Sequence, residues 1–245
     1  MKNKIFVAFV VIFFTITFFN FGYKYEKTIE KSFKAGTDFT FSLENCNGSI
    51  DVVTYKGDTI YIKAKKYSNK EKYFEKTKVV FKESNKKLKV YIKRPGKNCK
   101  TSFKFYVKLP HNITLAEIET VNGSIDIEGS MKDLDAETIN GKLSFEGTFE
   151  DAEFETVNGS VGIYLKNAIT GDLSIETVNG SIKLELDKKS SFNLRANTVN
   201  GSIKSDFNLP RTKKFIGSKM DGTINKGEYD IKLSTVNGSI KVLSN

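Results

Sequence analysis

The 245-residue sequence has few of the residues from which most catalytic centres and metal sites are built. It contains one histidine, two cysteines and no tryptophan. A Ser-His-Asp or Cys-His arrangement needs an imidazole beside the nucleophile, and a zinc site needs several Cys or His ligands, so neither is expected. His111 follows Pro110 at the end of a strand pattern, and we interpret it as a loop residue. We predict no catalytic residue, no metal ligand and no cofactor.

Other function classes are excluded by missing motifs. The sequence has no glycine-rich phosphate loop, no dinucleotide fingerprint and no basic and aromatic signature of RNA-binding domains. We therefore expect no nucleic-acid partner.

Helical patterning is scarce as well. Few stripes of apolar residues at helical spacing occur, whereas Val, Ile, Thr, Phe and Tyr alternate with polar residues along most of the chain. This alternation is typical of β-strands with one buried face. The sequence predicts an all-β protein.

Charge is distributed unevenly. Residues 24–115 contain 22 Lys and Arg against 9 Asp and Glu, whereas residues 116–245 contain 15 against 20. This asymmetry indicates two structural units. The basic unit suits a position near anionic lipid or wall polymer, and ordinary lysines on solvent-facing strand positions explain it equally.

The N-terminus predicts export. Two lysines precede an uncharged apolar run at residues 5–23, and Lys24 follows it. At about 1.5 Å per residue the run is long enough for a helix to cross a bilayer of about 30 Å. We interpret residues 1–23 as an uncleaved signal-anchor, residues 24–36 as a polar linker and the remainder as extracytoplasmic. The result is a single-pass cell-membrane protein; secretion after signal cleavage is the alternative.

Export places Cys46 and Cys99 in an oxidising compartment. There the two thiols can form a disulfide, although a single pair leaves two reduced cysteines as an open alternative.

The strongest signal is a repeat, seen in the string ETVNGSI at residues 119–125. From Asn122 to Asn237 the copies are separated by 18, 18, 21, 21 and 37 residues. We interpret the last step as two periods, with Asp221-Gly222 as a worn copy. A period near 20 residues indicates a repeat architecture. The predicted turn residues are Asn47, Gly48, Asn122, Gly123, Asn140, Gly141, Asn158, Gly159, Asn179, Gly180, Asn200, Gly201, Asp221, Gly222, Asn237 and Gly238.

Two architectures fit strand, Asn-Gly, strand. An antiparallel hairpin meander is the first, since Asn and Gly readily adopt positive φ in tight turns. A β-solenoid is the second, in which each unit is one coil and equivalent asparagines stack in a ladder. We favour the solenoid for residues 116–245, because a meander would leave one apolar face without cover.

Residues 37–115 predict an antiparallel β module that caps the solenoid. Strand patterns occur at residues 59–66, 76–84, 86–94 and 101–110, with one short helix within residues 68–76.

The sequence resembles the bacterial "putative adhesin" β-strand-repeat proteins, a family of unknown function. The resemblance covers about residues 38–245 and rests on NGSIDV (47–52), VKLP (107–110), ITLAEIETVNGSI (113–125) and the serial Asn-Gly repeats. It implies a membrane-tethered or exported β-solenoid and implies no enzymatic activity.

Two further patterns have structural interpretations. The alternating carboxylates Glu117, Glu119, Glu137, Glu153 and Glu155 are expected on a solvated strand face. The Asn-Gly-Ser copies are also glycosylation sequons, but the copy at residues 140–142 keeps the turn pair and loses the serine, so turn chemistry explains them better.

Three functional hypotheses follow. The first is a non-catalytic envelope protein that binds a cell-wall polymer, glycan or protein through its solenoid surface, with specificity from loops at residues 187–191 and 208–214. The second is a polysaccharide-active β-helix enzyme that uses clustered carboxylates. The third is an accessory to envelope-stress sensing.

Overall fold

The computed structural model describes residues 23–213 and 217–245, which form twenty-one strands and one short helix, α1 (Glu71–Lys76). The all-β prediction is confirmed. Within these residues no helix has the length and apolarity needed to cross a bilayer. The predicted N-terminal hydrophobic helix falls outside the described residues, apart from Tyr23.

The strands are numbered along the chain. They are β1 (Tyr25–Lys34), β2 (Phe39–Glu44), β3 (Ile50–Tyr55), β4 (Thr59–Ser68), β5 (Lys78–Glu83), β6 (Lys87–Lys93), β7 (Ser102–Pro110), β8 (Ile113–Asn122), β9 (Ile125–Ser130), β10 (Asp133–Asn140), β11 (Leu143–Thr148), β12 (Asp151–Asn158), β13 (Val161–Leu165), β14 (Leu173–Asn179), β15 (Ile182–Leu186), β16 (Phe192–Asn200), β17 (Ile203–Ser205), β18 (Arg211–Lys213), β19 (Ser218–Ile224), β20 (Tyr229–Asn237) and β21 (Ile240–Ser244).

The strands form two large sheets that are mostly parallel. The first sheet has the order β1-β4-β7-β3-β9-β11-β13-β15-β21-β17, and the second has the order β18-β19-β16-β20-β14-β12-β10-β8-β2-β6-β5. Each coil of the chain contributes one strand to each sheet, so the arrangement is solenoid-like. The strands on either side of an Asn-Gly pair lie in different sheets, which rules out the hairpin meander.

The core fills the space between the sheets. Inward positions alternate along every repeat, as in Ile118, Ile125 and Ile127, which are each at most 3% exposed. Eight phenylalanines and rows of aliphatic side chains make up most of the interior. The buried phenylalanines are Phe39, Phe41, Phe103, Phe105, Phe145, Phe149, Phe154 and Phe192.

The predicted boundary between an antiparallel N-terminal module (37–115) and a solenoid (116–245) is wrong. β2 and β3 pair in parallel with β8 and β9, and β6 and β7 pair in parallel with β2 and β3. Residue 115 lies inside β8. The corner at Asn47 is therefore one coil of the same stack, and only the β1-β4-β7 and β5-β6 pairings of this region are antiparallel. The individual strand predictions and the short helix in this region are confirmed.

The predicted linker at residues 24–36 is also corrected. It contains β1, which pairs antiparallel with β4 over ten residue pairs and forms the edge of the first sheet. Its apolar side chains Ile29 and Phe33 pack against the core from alternate positions. Charged residues between them hid this period-two pattern in the sequence.

The end of the chain does not follow the order of the repeats. β20 lies between β14 and β16, and β21 lies between β15 and β17, so the coil formed by β20 and β21 (the inserted coil) separates two coils that precede it in sequence. The 37 residues between Asn200 and Asn237 therefore contain one coil and the β18-β19 hairpin, and the prediction of two periods is wrong. Asp221 and Gly222, predicted as a turn, lie inside β19 opposite Arg195 and Leu194 of β16. The inserted coil, which is the last in the sequence, is hydrogen-bonded to a neighbouring coil on each side.

We expect removal of the inserted coil to destabilise the protein far more than loss of a terminal repeat would. A variant that ends at Lys226 loses the buried Ile231, Leu233, Ile240 and Val242 from the middle of the stack. The thermal midpoint measured by circular dichroism should fall by about 10 °C or more. A control that ends at Leu243 keeps these side chains and should melt close to the intact chain. Equal midpoints for the two variants would contradict the inserted position.

Candidate binding surfaces

Seven asparagines stack along one corner of the coils, in the order Asn47, Asn122, Asn140, Asn158, Asn179, Asn237 and Asn200. From Asn122 onward, each side-chain amide donates to the Oδ1 of the asparagine before it in this order, at 2.7–2.9 Å, which gives six rungs. At one end the ladder is closed by the Cys99 carbonyl, which accepts from Nδ2 of Asn47. The side-chain amides of all seven asparagines thus donate to other residues of the protein, and we assign these asparagines a structural role.

The corner glycines are required because adjacent coils approach closely. A Cβ at Gly141 would lie 1.9 Å from the carbonyl oxygen of Gly123, and one at Gly159 would lie 1.7 Å from that of Gly141. Only Gly48 among the seven corner glycines has a left-handed φ, at +107°. The positive φ expected from Asn-Gly turns is therefore wrong for six of them, and steric clearance is the actual reason for glycine.

A threonine two residues before the asparagine completes the corner in six of the seven coils, and before Asn47 this position holds Asn45. The six threonines point inward, are at most 5% exposed, and donate from Oγ1 to a corner glycine carbonyl of an adjacent coil. The bond is 3.0 Å from Thr138 to Gly123 and 2.8 Å from Thr198 to Gly238. The Thr-x-Asn-Gly sequence thus satisfies a buried carbonyl, which the sequence-based interpretation missed.

Cys46 and Cys99 form a disulfide, with Cα atoms 6.0 Å apart. It joins the corner of the β2-β3 coil to the loop between β6 and β7. Closing a loop of 53 residues in sequence separation stabilises the fold by about 4 kcal/mol in the chain-entropy model.

The loops predicted to carry specificity are less open than expected. In residues 187–191, Ser190 is fully buried and its Oγ accepts from the Ile169 amide at 3.1 Å. Residues 208–214 run into β18, so part of this segment is a strand.

The outer face of the second sheet is acidic. The strand register stacks Glu119, Glu137 and Glu155 in one row between Glu44 and Glu176. A second row contains Glu117, Asp135 and Glu153. Beside the glutamates runs an exposed aliphatic row, in which each member is 40–46% exposed: Ile139, Val157, Val178, Val236 and Val199.

Lysines neutralise the ends of the acidic rows but not their centre. Lys89 pairs with Glu44, Lys87 with Glu117 at 2.9 Å and Lys232 with Glu176 at 3.6 Å. Among the described residues, none of the three central glutamates has a basic group within ion-pair distance.

The pKa values follow this distribution of charge. Partial burial, followed by repulsion from neighbouring carboxylates, raises the pKa of Glu119, Asp135 and Glu155. The hydrogen bond from Lys87 lowers the pKa of Glu117. The acidic rows therefore contain carboxyl groups with raised pKa values and one with a lowered pKa on the same surface.

Carboxylates with raised pKa values can act as general acids. The described residues hold no group of three or more His, Cys, Asp or Glu arranged to bind a metal ion. His111 lies at a turn between β7 and β8, where its amide donates to the Tyr55 carbonyl at 3.1 Å.

The opposite outer face carries tyrosines and lysines on adjacent strands. The register sets Tyr61 opposite Lys108 and Lys63 opposite Tyr106 across the β4-β7 pair. The Nζ atom of Lys104 lies 5.0 Å from the Tyr106 ring centroid, and Tyr61 is 48% exposed. We call this surface the Tyr–Lys face; its members are Tyr61, Lys63, Lys65, Tyr67, Lys104, Tyr106 and Lys108.

Two of the four lysines of the Tyr–Lys face are not paired with a carboxylate among the described residues. Lys63 pairs with Glu30 at 2.9 Å and Lys104 approaches Asp51 at 3.8 Å, whereas Lys65 and Lys108 have no carboxylate within ion-pair distance among the described residues. Hydrogen bonding to Tyr106 raises the pKa of Lys104, so that ammonium stays charged at neutral pH. Period-two alternation in YIKAKKY and KFYVK could have revealed this face in the sequence.

Farther along the first sheet lies a shallow depression of about 620 Å³. It forms over Gly162, which has no side chain between its neighbours Ser144 and Lys183. Tyr164, 37% exposed, stands at its edge with acidic and basic side chains of both signs around it.

Comparison with known proteins identifies relatives of this fold. Residues 111–243 match the family model described as Toastrack DUF4097. Similar solved structures include a "putative cell adhesion protein" from Clostridium sporogenes, at 14% identity and TM-score 0.49, over 89% of this chain and 100% of that one. A "putative adhesin" from Bacteroides fragilis has 14% identity and TM-score 0.39, over 89% and 97%. A "putative lipid binding protein" from Parabacteroides distasonis has 13% identity and TM-score 0.35, over 89% and 97%. No match is found among curated proteins.

We expect Gly159→Ala to destabilise the protein by about 2–3 kcal/mol, because the added methyl group would overlap the Gly141 carbonyl. Gly162→Ala is the matched control: it lies in the next strand with open space around its Cβ position. Urea unfolding monitored by circular dichroism measures both. Similar losses of stability would contradict the close-approach explanation.

The acidic rows predict opposite effects of two charge-removing substitutions. Glu155 has a raised pKa in the fold, so its charged form weakens the fold as pH rises through that pKa. At pH 7, Glu155→Gln should raise the thermal midpoint by about 1 °C. Glu117 has a lowered pKa, so Glu117→Gln should lower the midpoint. The Glu155→Gln difference should vanish once pH falls below the ordinary glutamate pKa of 4.5, whereas the Glu117→Gln difference should persist to lower pH, until the lowered folded pKa of Glu117 is passed. Differences of the same sign at pH 7 would count against the assignment.

Proposed function

Since this chain belongs to the Toastrack DUF4097 family, whose function is unknown, we propose a function from its surfaces. The protein is a non-catalytic binding protein of the bacterial cell envelope. Residues 1–23 anchor it in the membrane or direct its secretion, and the β-solenoid outside presents an extended surface. That surface holds an anionic polymer of the cell wall through the Tyr–Lys face.

The Tyr–Lys face carries this proposal. Its lysine ammonium groups attract phosphate or carboxylate groups along a polymer, and its tyrosine rings offer flat apolar area with a hydroxyl that can donate. Because the side chains stand on paired strands of a packed sheet, little conformational freedom is lost when a ligand binds. A flat face of this kind suits a long chain better than a small molecule.

The segregation of charge supports the same orientation. The acidic rows lie on the second sheet, on the opposite side of the core from the Tyr–Lys face. An anionic polymer or anionic lipid surface would be repelled from the second sheet and attracted to the first. The protein would therefore bind with one side only.

The sequence also indicates two alternative functions. A polysaccharide-active enzyme would use the acidic rows, and release of sugar fragments from purified wall polysaccharide would support it. A role beside an envelope-stress sensor would depend on the anchor, and loss of signalling on deletion of residues 1–23 would support that role.

The binding proposal is tested with the chain from residue 24 onward, which contains all the described strands, on immobilised polyphosphate and on purified cell wall at low and high salt. We expect retention that weakens as salt rises. Exchanging Lys65 and Lys108 for glutamate should weaken retention by about tenfold or more. No retention of the unmodified chain on either material would refute the proposal.

Matched controls lie on the same sheet. The exposed Lys204 and Lys241 stand opposite each other across the β17-β21 pair and far from any member of the Tyr–Lys face. Their replacement by glutamate alters net charge equally and should leave most retention intact. For the aromatic part, Tyr61→Ser should weaken binding and Tyr164→Ser should not.

A further inference from the structure

The first end of the stack has a groove that opens into the core. There the edge strands of the two sheets, β1 and β5, are not hydrogen-bonded to each other, and α1 lies beside the space between them. The groove encloses about 420 Å³. We call it the end groove; its side chains of interest are Ile29, Lys66, Phe74, Lys78, Val79 and Phe81.

The floor of the end groove is apolar. Ile29 from β1 and Val79 and Phe81 from β5 pack on the core while remaining partly exposed. The Phe81 ring stacks on Phe33 with centroids 5.6 Å apart, which fixes the far end of the floor. The core is thus left uncovered at this end over an area that an apolar ligand could cover.

A buried cation stands at one side of this floor. Lys66 points inward from β4, on the same side as Ile62 and Ala64, and is only 5% exposed. Its Nζ donates to the Phe74 carbonyl and lies 4.2 Å from the Phe74 ring centroid. An ammonium has three donors, and no carboxylate lies within ion-pair distance of this one among the described residues.

The surroundings of Lys66 do not neutralise it. Burial lowers the pKa of Lys66 to about 8, opposed by attraction to Glu75 and assisted by repulsion from Lys27 and Lys78. Glu30 also borders the groove, but its carboxylate pairs with Lys63 on the outer side of the sheet at 2.9 Å. Glu75 thus attracts Lys66 without forming an ion pair with it, and a buried ammonium without a paired anion is costly to the fold.

We propose that the end groove binds a single-chain anionic amphiphile of the fatty-carboxylate class. The acyl chain lies over Ile29, Val79 and Phe81, and the carboxylate accepts hydrogen bonds from the Lys66 ammonium. The volume is near the lower end of the range for small-molecule sites, which favours one acyl chain over a two-chain lipid. This site is separate from the Tyr–Lys face, since Lys66 and the lysines of that face point to opposite sides of the first sheet.

Binding is measured by calorimetry on the chain from residue 24 onward, with dodecanoate, dodecanol and dodecyltrimethylammonium, each below its micellar concentration. We expect dodecanoate to bind at least about tenfold more tightly than the other two. The affinity for dodecanoate should fall as pH rises above about 8, where Lys66 loses its proton. The other titratable groups facing Lys66 are Lys27, Glu75 and Lys78.

Substitutions separate a binding role from a structural one. Lys66→Met should abolish the preference for dodecanoate over dodecanol while leaving the thermal midpoint equal or higher, because it removes a buried charge. Val79→Glu should weaken both ligands. Lys70→Met, at an exposed lysine next to α1, is the control and should change neither.

Four results would overturn the proposal. They are equal affinity for the three amphiphiles, dodecanoate affinity unchanged in Lys66→Met, binding to anionic vesicles but not to monomeric dodecanoate, and no binding at all. The variant with Lys65 and Lys108 replaced should bind dodecanoate normally, so failure of the polymer-binding proposal and failure of this one can be told apart.

Discussion

The close approach of successive coils at their corners is the constraint on which the rest of the structure depends. Each corner glycine gives room for the carbonyl of its neighbour, and the stacked asparagines and buried threonines then bond across the same gap. Any slip in register would set a Cβ against a carbonyl and break two sets of hydrogen bonds at once. The corner therefore holds every coil in one register, and this register decides which outward side chains become neighbours.

The acidic rows follow from that fixed register. When like residues occupy equivalent places in the repeat, they must stack, and this is why glutamates accumulate on the second sheet despite their mutual repulsion. The Tyr–Lys face arises where the repeat is absent, on antiparallel strands whose opposite residues differ. The regular part of the molecule thus supplies rigidity and the irregular part supplies chemical variety.

The sequence could predict the coils because the Thr-x-Asn-Gly spacing is itself the physical cause of stacking. It also predicted the alternation that exposes Glu119 and Glu155. It could not predict the place of the inserted coil, since all corners are chemically equivalent and Asn237 fits beside Asn179 as well as beside any other. β1 was hidden because charged residues separate Ile29 from Phe33. Lys66 continues the inward alternation of Ile62 and Ala64, but it was missed because lysine is rarely buried.

The inserted coil has a consequence for the order of events during synthesis. It is made after both of its neighbours, so a growing chain presents the coils at Asn179 and Asn200 before the segment that will separate them exists. Those two coils carry corners that can bond directly to each other, and a premature pairing would have to open again. Residues 229–244 can enter the stack only between coils that were synthesised before them.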